Sequence, residues 1–285
     1  MEIIKRKLVP FLLGVITTFC TLFLYADTRS ESKPQTIPPT ISNRIFVGSI
    51  PIVSGLGKEA KCIDLIEFTA PAFVLGTTDK KGWLLVSYMG RHSGWIPVST
   101  VTIDKKSQES LQVVATEPAE SYTPPNNEQY IKSIRDITKN QGVQPFFVCF
   151  AHIPNAPNHQ AAVYVDKNGG TYYVSSDTFR VANFVNGYNQ IENAEKVSKP
   201  IGYEFLEEFA KNYLSENSLD FEKYYNELQI NFHGKGGGYF PYAYIYTGYL
   251  YKPIDGLNHA EIQITFLPNG TIIGYSNTLD LIDVK

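Results

Sequence analysis

The sequence has few cysteines, few tryptophans and no excess of basic charge, and these shortages exclude several classes of protein. Its 285 residues include three cysteines and two tryptophans, and 25 basic against 28 acidic side chains give a net charge of -3. A nucleic-acid-binding domain would be expected to show a basic face, whereas the isoelectric point here is about 6.0. Three cysteines are also too few for a small scaffold held together by disulfides.

The positions of the cysteines limit their use further. Cys20 lies in an uncharged N-terminal run, so only Cys62 and Cys149 remain for the rest of the chain. A bridge between these two would have to join two regions that the composition predicts to fold separately. A disulfide is therefore not expected.

Charge is absent from Leu8–Ala26, which follows a basic cluster at residues 5–7. Because a membrane-spanning helix needs about 20 apolar residues, and because basic residues favour the cytoplasmic side, residues 1–26 predict a single-pass anchor. The rest of the chain would then be periplasmic or extracellular. A cleavable signal peptide is the alternative, since Ala26 could end one, although Leu24 fits the cleavage pattern poorly.

Changes in composition divide the remaining chain into four segments. Residues 27–43 are rich in Ser, Thr and Pro and predict an extended linker. Residues 44–103 consist of short β-branched and apolar runs between turn residues, which is typical of a small all-β barrel. Residues 104–126 contain three prolines in a polar stretch and predict a second linker. Residues 127–285 form the last segment.

The last segment mixes two periodicities, 3.6 for helices and 2 for strands. The pattern predicts a helix starting after Asn126, a central strand within 144–152 and a hairpin of 161–166 with 171–175. It also predicts a helix over 203–214 and a final hairpin around Pro268-Asn269-Gly270. Helices set among antiparallel strands indicate an α+β domain.

One part of the barrel segment resembles a known family. The residues that carry the likeness are Val53-Ser54-Gly55-Leu56-Gly57, Phe73-Val74-Leu75-Gly76, Gly82-Trp83, Val86, Tyr88, Gly90, Gly94-Trp95-Ile96 and Val101. Their order is similar to that of bacterial SH3 domains, and the likeness covers about 60 residues, the size of a small independent domain. The resemblance implies a small barrel that binds cell-wall peptides or protein ligands. The chain departs from the family pattern at residues 67–71, where a Gly-containing turn would be usual.

Candidate ligand residues follow from positions in this barrel. Tyr88, Arg91 and His92 lie at or just after a strand end, where small barrels present ligand contacts, so we expect them to bind ligand. Trp95 follows a glycine and precedes apolar strand residues. Two roles are open for its indole, one in the barrel core and one as a ligand platform.

A tyrosine-rich run near the C-terminus is a second candidate. Tyr242, Tyr244 and Tyr246 alternate and therefore fall on one face of a strand. Stacked phenol rings could form a platform for a sugar or a peptide. The alternative is a half-buried sheet with tyrosines at its rim, which β propensity favours.

Catalytic and metal sites receive little support from the sequence. Cys149 lies within an apolar strand, and His152, three residues on, would project to the opposite face, so the two cannot form a nucleophile–base pair on a regular strand. The segment after His159 resembles the His-bearing strand of cell-wall cysteine peptidases, but the Asp-Cys-Ser-Gly element that those enzymes need is absent. The histidines lack the short spacing of zinc ligands, and we predict neither a metal nor another cofactor.

Combined, these patterns predict an N-terminal transmembrane helix, a small all-β SH3-like barrel and a C-terminal α+β domain with an antiparallel sheet. The expected function is that of a membrane-anchored cell-envelope protein that binds or scaffolds, with peptidoglycan or envelope proteins as partners and no nucleic acid. The alternative is a cell-wall-active enzyme with its active site in the C-terminal domain.

Overall fold

Two β-sheets carry the fold. The computed structural model describes residues 40–41, 50–66, 72–88, 90, 92–101, 103, 105–119, 121–186, 201–233, 243–252 and 259–284. Within these residues the first sheet has seven strands and the second has eight. All neighbouring strands run antiparallel except β4 and β7 of the first sheet, defined below.

The first sheet comes from the N-terminal part of the described chain. Its strands are β1 (Thr40–Ile41), β2 (Ile50–Val53), β3 (Cys62–Ile66), β4 (Ala72–Thr78), β5 (Trp83–Tyr88), β6 (His92–Pro97) and β7 (Val113–Ala115). The order is β1-β4-β5-β6-β2-β3, and β1 and β7 pair with opposite ends of β4. Burial alternates along β5, where Leu84, Val86 and Tyr88 are buried and the residues between them are half-buried.

The second sheet comes from the C-terminal part. Its strands are β8 (Phe146–Ile153), β9 (Ala156–Val165), β10 (Thr171–Ser175), β11 (Val181–Val185), β12 (Gln229–His233), β13 (Tyr244–Leu250), β14 (Ala260–Phe266) and β15 (Ile272–Asn277). The described α-helices are α1 (Lys105–Ser110), α2 (Asn127–Thr138), α3 (Leu206–Asn217) and α4 (Phe221–Tyr224). The predicted helices and hairpins of this region are confirmed to within a few residues.

The second sheet consists of two halves of similar design. Each half begins with a 12-residue helix, α2 or α3, and continues with four strands, β8 to β11 or β12 to β15, that pair in chain order. Each helix packs against the third strand of its own half. The two last strands, β11 and β15, pair with each other at the centre, where Phe184 lies opposite Tyr275. This internal repeat was not apparent from the sequence.

The fold class expected from the sequence is wrong. The described chain is mostly β, with fifteen strands and only two α-helices longer than six residues. The helix and strand periodicities were assigned correctly, but the presence of helices does not show which strands pair with one another. Here eight strands form one continuous sheet, because the edge strands of two four-stranded halves pair across the centre.

The predicted membrane anchor has no support in the structure. None of the described helices is both long and apolar enough to cross a bilayer. Leu8–Ala26, where the anchor was predicted, lies outside the described residues.

The two sheets pack against each other within one unit, residues 39–285. Val53 of the first sheet is part of the hydrophobic core of the second, and Trp83, Trp95 and Cys62 pack against that core. The segment predicted as a second linker contains α1 and β7, and β7 extends the first sheet by pairing with β4. The predicted division into separate domains stays a prediction.

Candidate functional site

A groove lies where the first sheet meets the edge of the second. Its volume is about 520 Å³, within the range of about 300–1,000 Å³ that small ligand sites occupy. The lining comes from stretches of chain within residues 55–60, 80–83, 98–99, 117–122 and 146–148, together with Lys167. We call this the inter-sheet groove.

Aromatic rings form one wall of the inter-sheet groove. The ring of Trp83 at the start of β5 meets Phe146 edge to face, with centroids 6.3 Å apart. Tyr122 meets Phe147 in the same way at 5.5 Å. All four side chains are half-buried, so each keeps part of its ring surface accessible. Aromatic surface of this kind can take up an apolar group while the Tyr122 hydroxyl and the indole N–H offer hydrogen bonds.

Glu117 holds the turn that presents Trp83. Its carboxylate accepts a hydrogen bond from the Thr78 hydroxyl and another from the Gly82 amide at 2.7 Å. The Glu117 amide in turn donates to Asp79 at 2.8 Å, and the Trp83 amide donates to the Thr78 hydroxyl at 3.3 Å. A carboxylate that accepts several such bonds is fixed in place. The β4–β5 turn is therefore locked against residues 116–118 before any ligand arrives.

Two lysines flank the aromatic wall. Lys80 lies in the β4–β5 turn and Lys167 in the β9–β10 turn, and both are exposed. Neither takes part in an ion pair with another described residue, in contrast to Lys139, which binds Glu216 at 2.6 Å. Glu117 also lines the groove and keeps its negative charge, so the described lining brings two basic groups and one acidic group, and the acidic group is already held by the turn.

A larger cavity, of about 730 Å³, lies between the helices and the second sheet. Its polar side chains are largely occupied within the protein. Asn140 accepts from the Gly142 amide at 3.0 Å, Asn186 donates to the Ile272 carbonyl, and Lys139 is the lysine paired with Glu216. As a candidate ligand site, this cavity has the larger volume. The inter-sheet groove has accessible aromatic rings and lysines that form no ion pair with a described residue.

The ligand residues predicted in the barrel do not converge. Tyr88 is buried in the core of the first sheet. His92 is exposed, with Nε2 3.8 Å from a carboxylate oxygen of Asp64. Trp95 packs against the core of the second sheet and is half-buried, which fits the core role better than the platform role. Arg91 lies outside the described residues.

The predicted tyrosine platform is also only partly present. Tyr246 is fully buried on the side of β13 that faces the helices, and Tyr244 on the same face is half-buried and stacked on Phe232, with centroids 6.1 Å apart. Tyr242 lies outside the described residues. The two described tyrosines therefore belong to a packed sheet face, which is the alternative left open by the sequence.

The residues considered for catalysis are separated. Cys149 is fully buried, whereas His152 is exposed. His159 approaches Asp177, with Nδ1 3.1 Å from a carboxylate oxygen. Within the described part of the chain, no cluster of three or more His, Cys, Asp and Glu side chains is arranged to hold a metal ion.

Sequence reasoning missed most of the inter-sheet groove. Tyr122 was assigned to a linker, and Phe146 and Phe147 to a central strand, whereas β8 is the edge of its sheet. An aromatic residue in a proline-rich polar segment, as at Tyr122, is a local signal that the segment packs against the fold.

No protein-family model, curated protein or solved structure matches this chain, so nothing in these comparisons identifies the bacterial SH3 domain expected at residues 44–103.

Proposed function

We propose that this chain is a binding protein that holds an acidic segment of a partner polypeptide in the inter-sheet groove. The observation that carries the proposal is the combination of an accessible aromatic wall with two lysines, Lys80 and Lys167, that form no ion pair with any described residue. The binding role agrees with the expectation from the sequence, and the ligand class is taken from the groove itself.

The chemistry of the groove favours a peptide that carries both acidic and apolar side chains. Rings such as Trp83 and Tyr122 supply contact area with little loss of side-chain freedom. The ammonium groups of Lys80 and Lys167 attract carboxylates, which raises the rate of encounter and selects against basic partners. A turn already fixed by Glu117 also reduces the entropy lost on binding.

The chain offers an internal reporter for this binding. It contains two tryptophans, so the variant Trp95→Phe leaves Trp83 as the single indole. We expect the fluorescence of Trp83 in this variant to change on titration with hexapeptides in which two glutamates flank an aromatic residue. Matched hexapeptides with two lysines should give no saturable change. Equal binding of both peptides would contradict the proposal.

Reversing the two charges should abolish most of the affinity. Exposed ion pairs contribute about 0.2–1 kcal/mol each, so we expect Lys80→Glu with Lys167→Glu to weaken binding of the acidic hexapeptide about tenfold, and more at low salt. Fluorescence titration at two salt concentrations measures this effect. Lys132→Glu is the matched control, because Lys132 is exposed on α2 and does not line the groove. If the double variant binds as tightly as the control, the lysines have no part in recognition.

A further inference from the structure

The cysteines of the described chain meet where the two sheets join. Cys62 begins β3, Cys149 lies in β8, and the neighbouring residues Lys61 and Phe150 form a parallel bridge between the sheets. Because alternate residues of a strand point to opposite sides, both cysteines project away from the side occupied by Lys61 and Phe150. Cys149 belongs to the buried core at this junction, and Cys62 packs against the same core.

The surroundings of the two thiols differ in access. Cys149 is fully buried, and it lies in register with Val163, which in turn pairs with Tyr173. Cys62 is half-buried and belongs to the strand at the edge of the first sheet. A small oxidant in solution can therefore reach Cys62 but not Cys149.

A hydrogen bond between the two thiols is the main influence on the pKa of each. It lowers the pKa of Cys62 from its usual value. The same bond, together with burial, raises the pKa of Cys149 well above its usual value. The thiolate is the reactive form of cysteine, so Cys62 is the nucleophile of the pair and Cys149 the partner that reacts second.

We propose that Cys62 and Cys149 form a reversible disulfide that links the two sheets, by exchange with a small-molecule disulfide such as oxidised glutathione. The Cys62 thiolate attacks one sulfur of oxidised glutathione, the glutathione S–S bond breaks, and one glutathione leaves and takes up a proton. Cys149 then loses its proton and attacks the sulfur of Cys62, which expels the second glutathione. Two protein thiols are oxidised and one glutathione disulfide is reduced to two thiols.

The inference goes beyond the sequence analysis, which expected no disulfide, and both cysteines lie within one unit of the structure, residues 39–285. It does not depend on the ligand of the inter-sheet groove. A bridge that closes so long a loop restricts the unfolded chain strongly, so we expect oxidation to raise Tm by about 5–10 °C.

Peptide mapping of the full chain tests the proposal. In a Cys20→Ser background, we expect incubation with oxidised glutathione to give a cross-linked peptide pair that contains Cys62 and Cys149. Reduction with dithiothreitol should release the pair and lower Tm again. Recovery of both residues as free thiols, or of a glutathione adduct without the cross-link, would overturn the proposal.

Single variants test the order of reaction. Cys149→Ser should stop at a stable glutathione adduct on Cys62, because the second attack has no thiol. Cys62→Ser should leave Cys149 unmodified while the protein stays folded. The Tm measured under reducing conditions shows whether the variant is folded. An adduct on Cys149 in a folded Cys62→Ser protein would contradict the assigned roles.

Discussion

Tyr275→Ala is expected to destabilise the protein by about 3–5 kcal/mol, the usual cost of deleting a large buried aromatic side chain. Tyr275 is 2% exposed, and its ring stacks on Phe184 with centroids 5.9 Å apart and meets Tyr213 edge to face at 6.3 Å. Its hydroxyl accepts a hydrogen bond from Asn277 at 2.9 Å. The truncation therefore opens a cavity and removes a buried hydrogen-bond partner at the junction of the two halves.

Urea denaturation measures this loss, and Tyr251→Ala is the matched control. Tyr251 carries the same side chain but is 65% exposed at the end of β13. Its truncation should change the free energy of unfolding by less than about 0.5 kcal/mol. Similar losses in the two variants would mean that the central strand pair does not hold the halves together.

Gly169→Ala is expected to destabilise the protein by about 2–4 kcal/mol. Gly169 has φ +86°, a conformation that costs an alanine about 1–2 kcal/mol. A Cβ at this position would also lie 2.2 Å from the backbone carbonyl oxygen of Ser99, in the turn that follows β6. Either the β9–β10 turn or the Ser99 segment must move, which adds the cost of overpacking.

Gly270→Ala separates these two costs. Gly270 has φ +81°, but the nearest atom to a Cβ there is the side-chain end of Ile201 at 3.0 Å. This control should therefore lose only the conformational part, and the difference between the variants measures the contact with Ser99. Equal losses of unfolding free energy in the two variants, measured by thermal or urea unfolding, would show that a side chain at position 169 makes no unfavourable contact with Ser99.

Local features of the fold were predictable because helix and strand periodicities are properties of neighbouring residues. The alternation in β5 and the apolar face of α2, with Tyr130, Ile134 and Ile137 buried, both follow from spacing alone. The same alternation places Tyr88 on the same face of β5 as Leu84. The prediction that Tyr88 binds ligand relied instead on its position at the strand end. In the structure Tyr88 is buried, as the alternation indicates.

The site was less predictable because its walls are distant in the sequence. Trp83, Tyr122 and Phe146 come together only when the first sheet packs on β8. Whether β8 is central or at an edge depends on which strands pair, and an apolar run such as residues 146–150 is compatible with either. The contact between Cys62 and Cys149 was hidden in the same way, since it arises from the packing of two sheets.

The two-half design of the second sheet has a consequence for the route of folding. Within each half, strands that follow one another in the chain also pair with one another, so most pairings close short loops. The pairing of β11 with β15 instead joins segments separated by the whole second half, and closing such a loop costs more chain entropy. Non-local pairings of this kind slow folding. We therefore expect the β11–β15 ladder to form late in folding, after the hairpins of each half.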